Sequence, residues 1–200
     1  QPFDLTQAPL LRIRILQLGP ETYLITLVMH HIISDGWSMD IFLNELHTAY
    51  DAFDQGQTPA FRPLAIQYKD YTAWQEKQAC LDTYQNQKAY WMSTLSGPLP
   101  VLDLPNDHMR PQKQSHNGSH ISCQIPATQY EPFKTFVKER GCTPYMGLLM
   151  VVNILIHRYT GATDIIIGTP IAGRRHKDLD GQIGFYVNTL AMRSEVDGSR

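Results

Sequence analysis

The stretch "MHHIISDGWSM", Met29 to Met39, decides how the chain is read, because the periodicity changes across it. Before it, "TYLITLVM" (22–29) is continuously apolar and short, the pattern of a strand. After Gly36, apolar residues recur at Met39, Phe42, Leu43, Leu46, Tyr50 and Phe53, which is helical spacing. Ser38 is the expected helix cap, with Asp40 in the first turn. His30, His31 and Asp35 therefore fall in a strand-to-helix loop. In such a loop, side chains project into a cleft while a rigid frame holds their backbone.

Working outward, "LRIRILQ" (11–17) alternates, with Leu11, Ile13 and Ile15 on one face and Arg12 and Arg14 on the other, as in a half-buried strand. Gly19-Pro20 breaks it, so the two strands are expected to form a hairpin that delivers His30 and His31 at its end. From Ala65 to Ser93 the pattern is helical and aromatic, and the run from Tyr68 to Trp74 is expected in the core. "SGPLPVLDLPNDHMRPQKQSHNGS" (96–119) holds four prolines and no period, which marks a crossover between lobes. The expected boundaries are 1–95 for a first lobe, 96–118 for the crossover and 119–200 for a second.

In the second lobe "HISCQI" (120–125) reads as a short strand. Thr128 and Glu131 have capping-box spacing for a helix closing at Gly141. Thr143-Pro144 opens another helix, apolar nearly all round and so expected to be buried, ending near Gly161. "DIIIGTPI" (164–171) reads as a buried strand, "AGRRHKDLDGQ" (172–182) as a loop and "IGFYVNTLAMR" (183–193) as the last strand. Intermixed helices and strands predict α/β layers.

The totals exclude several classes. A net charge of −2 supplies neither a basic face for nucleic acid nor a polybasic patch for a membrane. The longest apolar run, "MGLLMVVNILI" (146–156), contains Asn153 and is too short to span a bilayer. "QPFDLTQAP" has neither the cationic start nor the apolar core of a signal peptide. Cys80, Cys123 and Cys142 form no CxxC pair, so reduced thiols and a cytoplasmic location are expected. The polar start and the end at "EVDGSR" lead us to expect a piece of something larger.

The histidine pair has the first claim on chemistry. Side chains alternate along a strand, so one histidine is expected to support the core and the other to face the cleft. Histidine's ordinary pKa, about 6.5, suits it to accept or position a proton at neutral pH. Asp35 either orients the cleft histidine or pairs with an arginine and fixes the turn. Gly36 suits a crowded approach. Metal binding is disfavoured, because adjacent histidines do not converge on one ion and no HExxH follows. No GxSxG elbow marks a nucleophile, "GTPIAGRR" lacks the phosphate-loop spacing, and His108, His116, His120 and His176 sit in loops or at edges.

"MHHIISDGWS" resembles the HHxxxDG motif of condensation domains in nonribosomal peptide synthetases, within the chloramphenicol-acetyltransferase-like superfamily of CoA-dependent acyltransferases. "YKDYTAW" (68–74) resembles the family's YxDYAxW segment and "IGFYVNTLAMR" its IGxFVNTLxxR segment, in the same order. "LPNDHMRP" (104–111) is similar to the family's LPTDRPRP crossover. Tyr186 stands where the family often has phenylalanine, and nothing resembles the family's earlier RHxxLR segment. The expectation is an internal portion of a condensation domain with both lobes incomplete.

The resemblance implies a two-lobed, V-shaped α/β fold and peptide-bond formation in secondary-metabolite biosynthesis. A donor acyl or peptidyl thioester and an acceptor aminoacyl thioester meet on phosphopantetheine arms of upstream and downstream carrier proteins. Adjacent synthetase domains are further partners, nucleic acid and membrane are not, and no cofactor is bound by the domain itself. By the same resemblance His31 is the catalytic residue, and His30, Asp35 and Gly36 support it. Trp37, Ser38, Asn188 and Thr189 line the cleft, and Asp35 pairs with an arginine upstream of residue 1. The chain alone is expected to be inactive. Two alternatives stand beside this: a freestanding acyltransferase using coenzyme A, and a noncatalytic recruitment or scaffold domain.

Overall fold

A computed structural model describes residues 2–109, 111–113, 115 and 117–198. His116 and the Arg110 of the crossover motif lie outside the described residues.

The hairpin forms as its sequence dictates. β1 (Leu11–Gly19) pairs antiparallel with β2 (Thr22–Met29), with Leu11 opposite Met29 and Ile15 opposite Ile25. The alternation of β1 is present, but its apolar face is not half-buried. Ile13 is 51% and Ile15 63% exposed, because no layer of the described residues covers them.

α1 (Gly36–Asp54) follows the hairpin, with Asp35 as its N-cap. Ser38 and Asp40 thus shift inward from the expected cap and first turn, since an aspartate one residue before the helix takes the capping role. The aromatic segment splits into α2 (Tyr68–Ala79) and α3 (Asp82–Thr94). The Asp70 carboxylate caps α2 by accepting from the Gln67 amide at 2.8 Å. Trp74 stays half-exposed and stacks on Tyr71, so this run is only partly core.

The stretch 120–125 is not a strand. It has no regular secondary structure and is exposed, and no other segment among the described residues pairs with it. α4 (Ala127–Glu139) starts after Pro126, with no side-chain cap. Thr128 therefore sits inside the helix, and Glu131 pairs with Lys134 instead of closing a capping box. α5 (Pro144–Thr160) has the expected ends: Thr143 Oγ1 accepts from the Met146 amide, Pro144 is the first helical residue, and Gly161 is left-handed at φ +71°. Gly147 lets α4 approach, because a Cβ there would lie 2.4 Å from Val137 Cγ1. The expected burial of α5 does not hold: only Gly147 and Asn153 are buried, and Val151, Ile154 and Leu155 are open.

β3 (Asp164–Ile171) and β4 (Asn188–Glu195) form a second two-stranded sheet. Residues 183–187 of the expected last strand are irregular. The Arg193 guanidinium grips Asp164 through Nε and Nη2, the latter at 2.7 Å, and donates to the Thr94 and Ser96 carbonyls. Asp164 accepts these bonds, and they, with the Arg193 charge, hold its carboxyl below the ordinary range.

Packing divides the chain into two compact units: residues up to Trp91 with Gly168–Leu190, and Met92–Ile167 with the segment from Ala191 on. This differs from the boundaries at 95 and 118. Residues 168–190 belong with the first unit because their polar groups bond to the turn before α1 and to α2.

Candidate active site

The first unit carries the whole candidate site. β2 ends at Met29, so strand alternation does not reach the two histidines; His31–Ile33 form a single 3₁₀ turn instead. His30 caps that turn, its Nδ1 accepting from the Ile32 amide at 3.1 Å, and its ring meets the edge of Phe3. His30 is half-buried. His31 is exposed, with its ring edge-on to Phe185 at 5.2 Å. The histidines thus diverge, through a turn rather than a pleat.

Asp35 points inward and is 4% exposed. Its Oδ1 accepts from the Ser38 amide (2.9 Å), the Ser38 hydroxyl (2.7 Å) and Arg174 Nη2 (3.3 Å). Its Oδ2 accepts from the Tyr186 amide at 3.0 Å. Burial pushes the carboxyl up, yet the Ser38 and Tyr186 hydrogen bonds and the Arg174 charge outweigh it and hold Asp35 below the ordinary carboxylate range. The arginine partner expected upstream is therefore within the chain, 139 residues after Asp35. No bond joins Asp35 to His31; the carboxylate secures the turn, and the histidine is held by that turn and by Phe185.

Ser38 lies beneath the turn at 1% exposure and is not a cleft residue. Its Oγ is also 2.9 Å from the Gly184 carbonyl and 3.1 Å from the Gly184 amide. A side chain at Gly184 would run into the Tyr68 ring, with Cβ 2.5 Å from its Cδ2. Arg174 donates through Nη1 to the Leu179 and Gln182 carbonyls and lies 4.1 Å over the Tyr186 ring. The Tyr186 hydroxyl donates to Gln182 Oε1, while Gln182 Nε2 donates to the Ile66 carbonyl. Burial raises the Tyr186 phenol to about 12.

A cavity of about 380 Å³ opens over this base. Leu27, Met29 and Met39 form its apolar side, and His31, Ser34, Asp35 and Gly36 the rest. Of the residues expected at the site, the structure brings His31, Asp35 and Gly36 to one cavity. Trp37 lies outside it and donates to the Asp180 carbonyl at 3.0 Å. Asn188 and Thr189 do not line it either, and the Asn188 side chain accepts from the Thr189 amide. Sequence reasoning missed Arg174, Gln182 and the packing role of Tyr186; the paired arginines of "AGRRHKDLDGQ" were the available signal. His108, His120 and His176 are exposed. Among the described residues no His, Cys, Asp or Glu cluster has metal-holding geometry, and no helix is long and apolar enough to cross a membrane.

The chain belongs to the condensation domain family, whose model matches residues 1–200. It is 42% identical over 200 residues to bacitracin synthase 1 of Bacillus licheniformis, covering 100% of this chain and 4% of that protein. It is 41% identical over 200 residues to tyrocidine synthase 3 of Brevibacillus parabrevis, covering 100% of this chain and 3% of that protein. Among solved structures, the complex of the X-domain and OxyB from teicoplanin biosynthesis superposes with a TM-score of 0.84 at 28% identity, over 98% of this chain and 44% of that one. A four-domain nonribosomal peptide synthetase bound to AMP and glycine superposes at 0.80 with 26% identity, over 100% of this chain and 15% of that one. The expected condensation-type α/β fold is therefore found, in a chain that spans a small part of each synthetase it matches.

Proposed function

We propose that this chain is part of a peptide-bond-forming condensation domain of a nonribosomal peptide synthetase. The observation that carries the reading is the exposed His31 on the wall of a cavity whose carboxylate, Asp35, is hydrogen-bonded through both oxygens to Ser38, Arg174 and Tyr186. In the reaction the acceptor amine attacks the donor thioester carbonyl. A C–N bond forms, the C–S bond breaks, and the amine proton leaves while the donor thiolate is released as a thiol. His31 meets the amine and its proton. His30, Asp35 and Gly36 hold the turn in place.

Both substrates are presented on phosphopantetheine arms of carrier proteins, with adjacent synthetase domains as neighbours, in the cytoplasm. A second reading has one observation in its favour, the likeness to an X-domain whose solved complex contains OxyB. On that reading the chain recruits a partner and catalyses nothing.

The test mixes the full-length protein with donor- and acceptor-loaded carriers and follows dipeptidyl thioester by mass spectrometry, with coenzyme A thioesters in a parallel arm. Dipeptide from loaded carriers only is expected. Transfer from coenzyme A alone would favour a freestanding acyltransferase, and no transfer in either arm the recruitment reading.

A further inference from the structure

The cavity wall offers very few side chains able to hydrogen-bond a substrate. Leu27, Met29 and Met39 are apolar, Gly36 has no side chain, and the Asp35 oxygens already accept from Ser38, Arg174 and Tyr186. His31 and Ser34 remain. Ser34 is 6% exposed, it lines the cavity, and its hydroxyl has no hydrogen-bond partner among the described residues. Among the described residues the buried side-chain atoms left without a partner are Asn153 Oδ1 and Arg174 Nε, so the Ser34 oxygen stays within reach of solvent and is free to bond a ligand. Its backbone is fixed, because the Ser34 amide donates to the His31 carbonyl at 3.3 Å and the next residue caps α1.

Accepting the reading of the site as an acyl-transfer centre, we infer that the Ser34 hydroxyl is a further catalytic group, contacting the donor thioester and donating a hydrogen bond to its carbonyl oxygen as negative charge develops there. His31 faces the amine and needs a free ring nitrogen for its proton, which leaves Ser34 as the side-chain donor for the oxygen. Ser34 is a donor and not a nucleophile, since no hydrogen bond links its hydroxyl to the His31 ring. Its proton stays on its own oxygen throughout, and no acyl-serine forms.

The experiment compares wild type, Ser34→Ala and Ser34→Thr in the full-length protein with loaded carriers, measuring kcat, KM for the donor carrier, and melting temperature. Loss of one such donor lowers kcat by roughly a hundredfold, so Ser34→Ala is expected to fall by that order with KM little changed. Its melting temperature should match wild type, because no protein partner is lost, and Ser34→Thr should recover much of the rate. Wild-type kcat in Ser34→Ala, a parallel fall of kcat and melting temperature, or a covalent acyl adduct on Ser34 would each overturn the assignment while leaving the condensation reading intact. If the wild-type protein itself joins nothing, the condensation reading fails, and this assignment with it.

Discussion

Arg174 Nη2 lies 3.3 Å from Asp35 Oδ1, with the arginine side chain 1% and the aspartate side chain 3% exposed. Removing one member of a buried pair leaves the other charge uncompensated, which costs about 3–5 kcal/mol. Asp35→Ala and Arg174→Met should each destabilise the protein by that order in urea unfolding, whereas His31→Ala, at an exposed position, should change stability by less than about 0.5 kcal/mol. Equal losses for Asp35→Ala and His31→Ala would contradict the structural role given to Asp35.

The same carboxylate sets an acid limit. Its folded pKa is depressed, so its contribution is fully present above the unfolded value of about 3.9 and fades as pH falls below it through the folded value. Wild type should lose this part of its stability only below about pH 4. Asp35→Asn should be less stable at pH 7 and show a flatter acid limb; a limb identical to wild type would remove Asp35 as its source.

Tyr186 gives the opposite sign. Its phenol is raised to about 12, so it stabilises the fold below the unfolded value of about 10 and stops doing so as pH rises through 12. Tyr186→Phe also leaves the side-chain oxygen Oε1 of Gln182 without its donor, a loss of about 1–3 kcal/mol at neutral pH. An unchanged neutral-pH stability in Tyr186→Phe, with an unchanged alkaline limb, would show that the hydroxyl is idle.

How much of this was legible in the sequence follows from the range of each interaction. Local signals served well: the β1–β2 turn at Gly19-Pro20, the Thr143-Pro144 start of α5 and its Gly161 stop are each set by a few neighbouring residues. The motif at 29–39 pointed to His31, Asp35 and Gly36, which share a cavity. Long-range partners were beyond reach. Nothing near Asp35 announces Arg174, and nothing near Gln182 announces the Ile66 carbonyl. Burial failed as well, because an apolar helix such as α5 is buried only where another layer covers it.

That uncovered helix makes a prediction of its own. Val151 and Leu155 on α5 are 47% and 54% exposed, beside Leu148 at 46%. Contiguous apolar surface of this kind drives association. The 200 residues prepared alone should self-associate in light scattering and yield no dipeptide from loaded carriers, and Val151→Lys with Leu155→Glu should shift them toward monomer. A monodisperse monomer at high concentration, or turnover by the chain alone, would contradict this.

The central claim is that His31 acts on the reacting amine. Its most direct test is single-turnover dipeptide formation by full-length His31→Ala with pre-loaded carriers, alongside circular dichroism. A positioned proton-transfer group contributes about 10²–10⁴-fold, so a rate lower by that order in a protein with unchanged spectrum and melting temperature is expected. Wild-type turnover by folded His31→Ala would contradict the account.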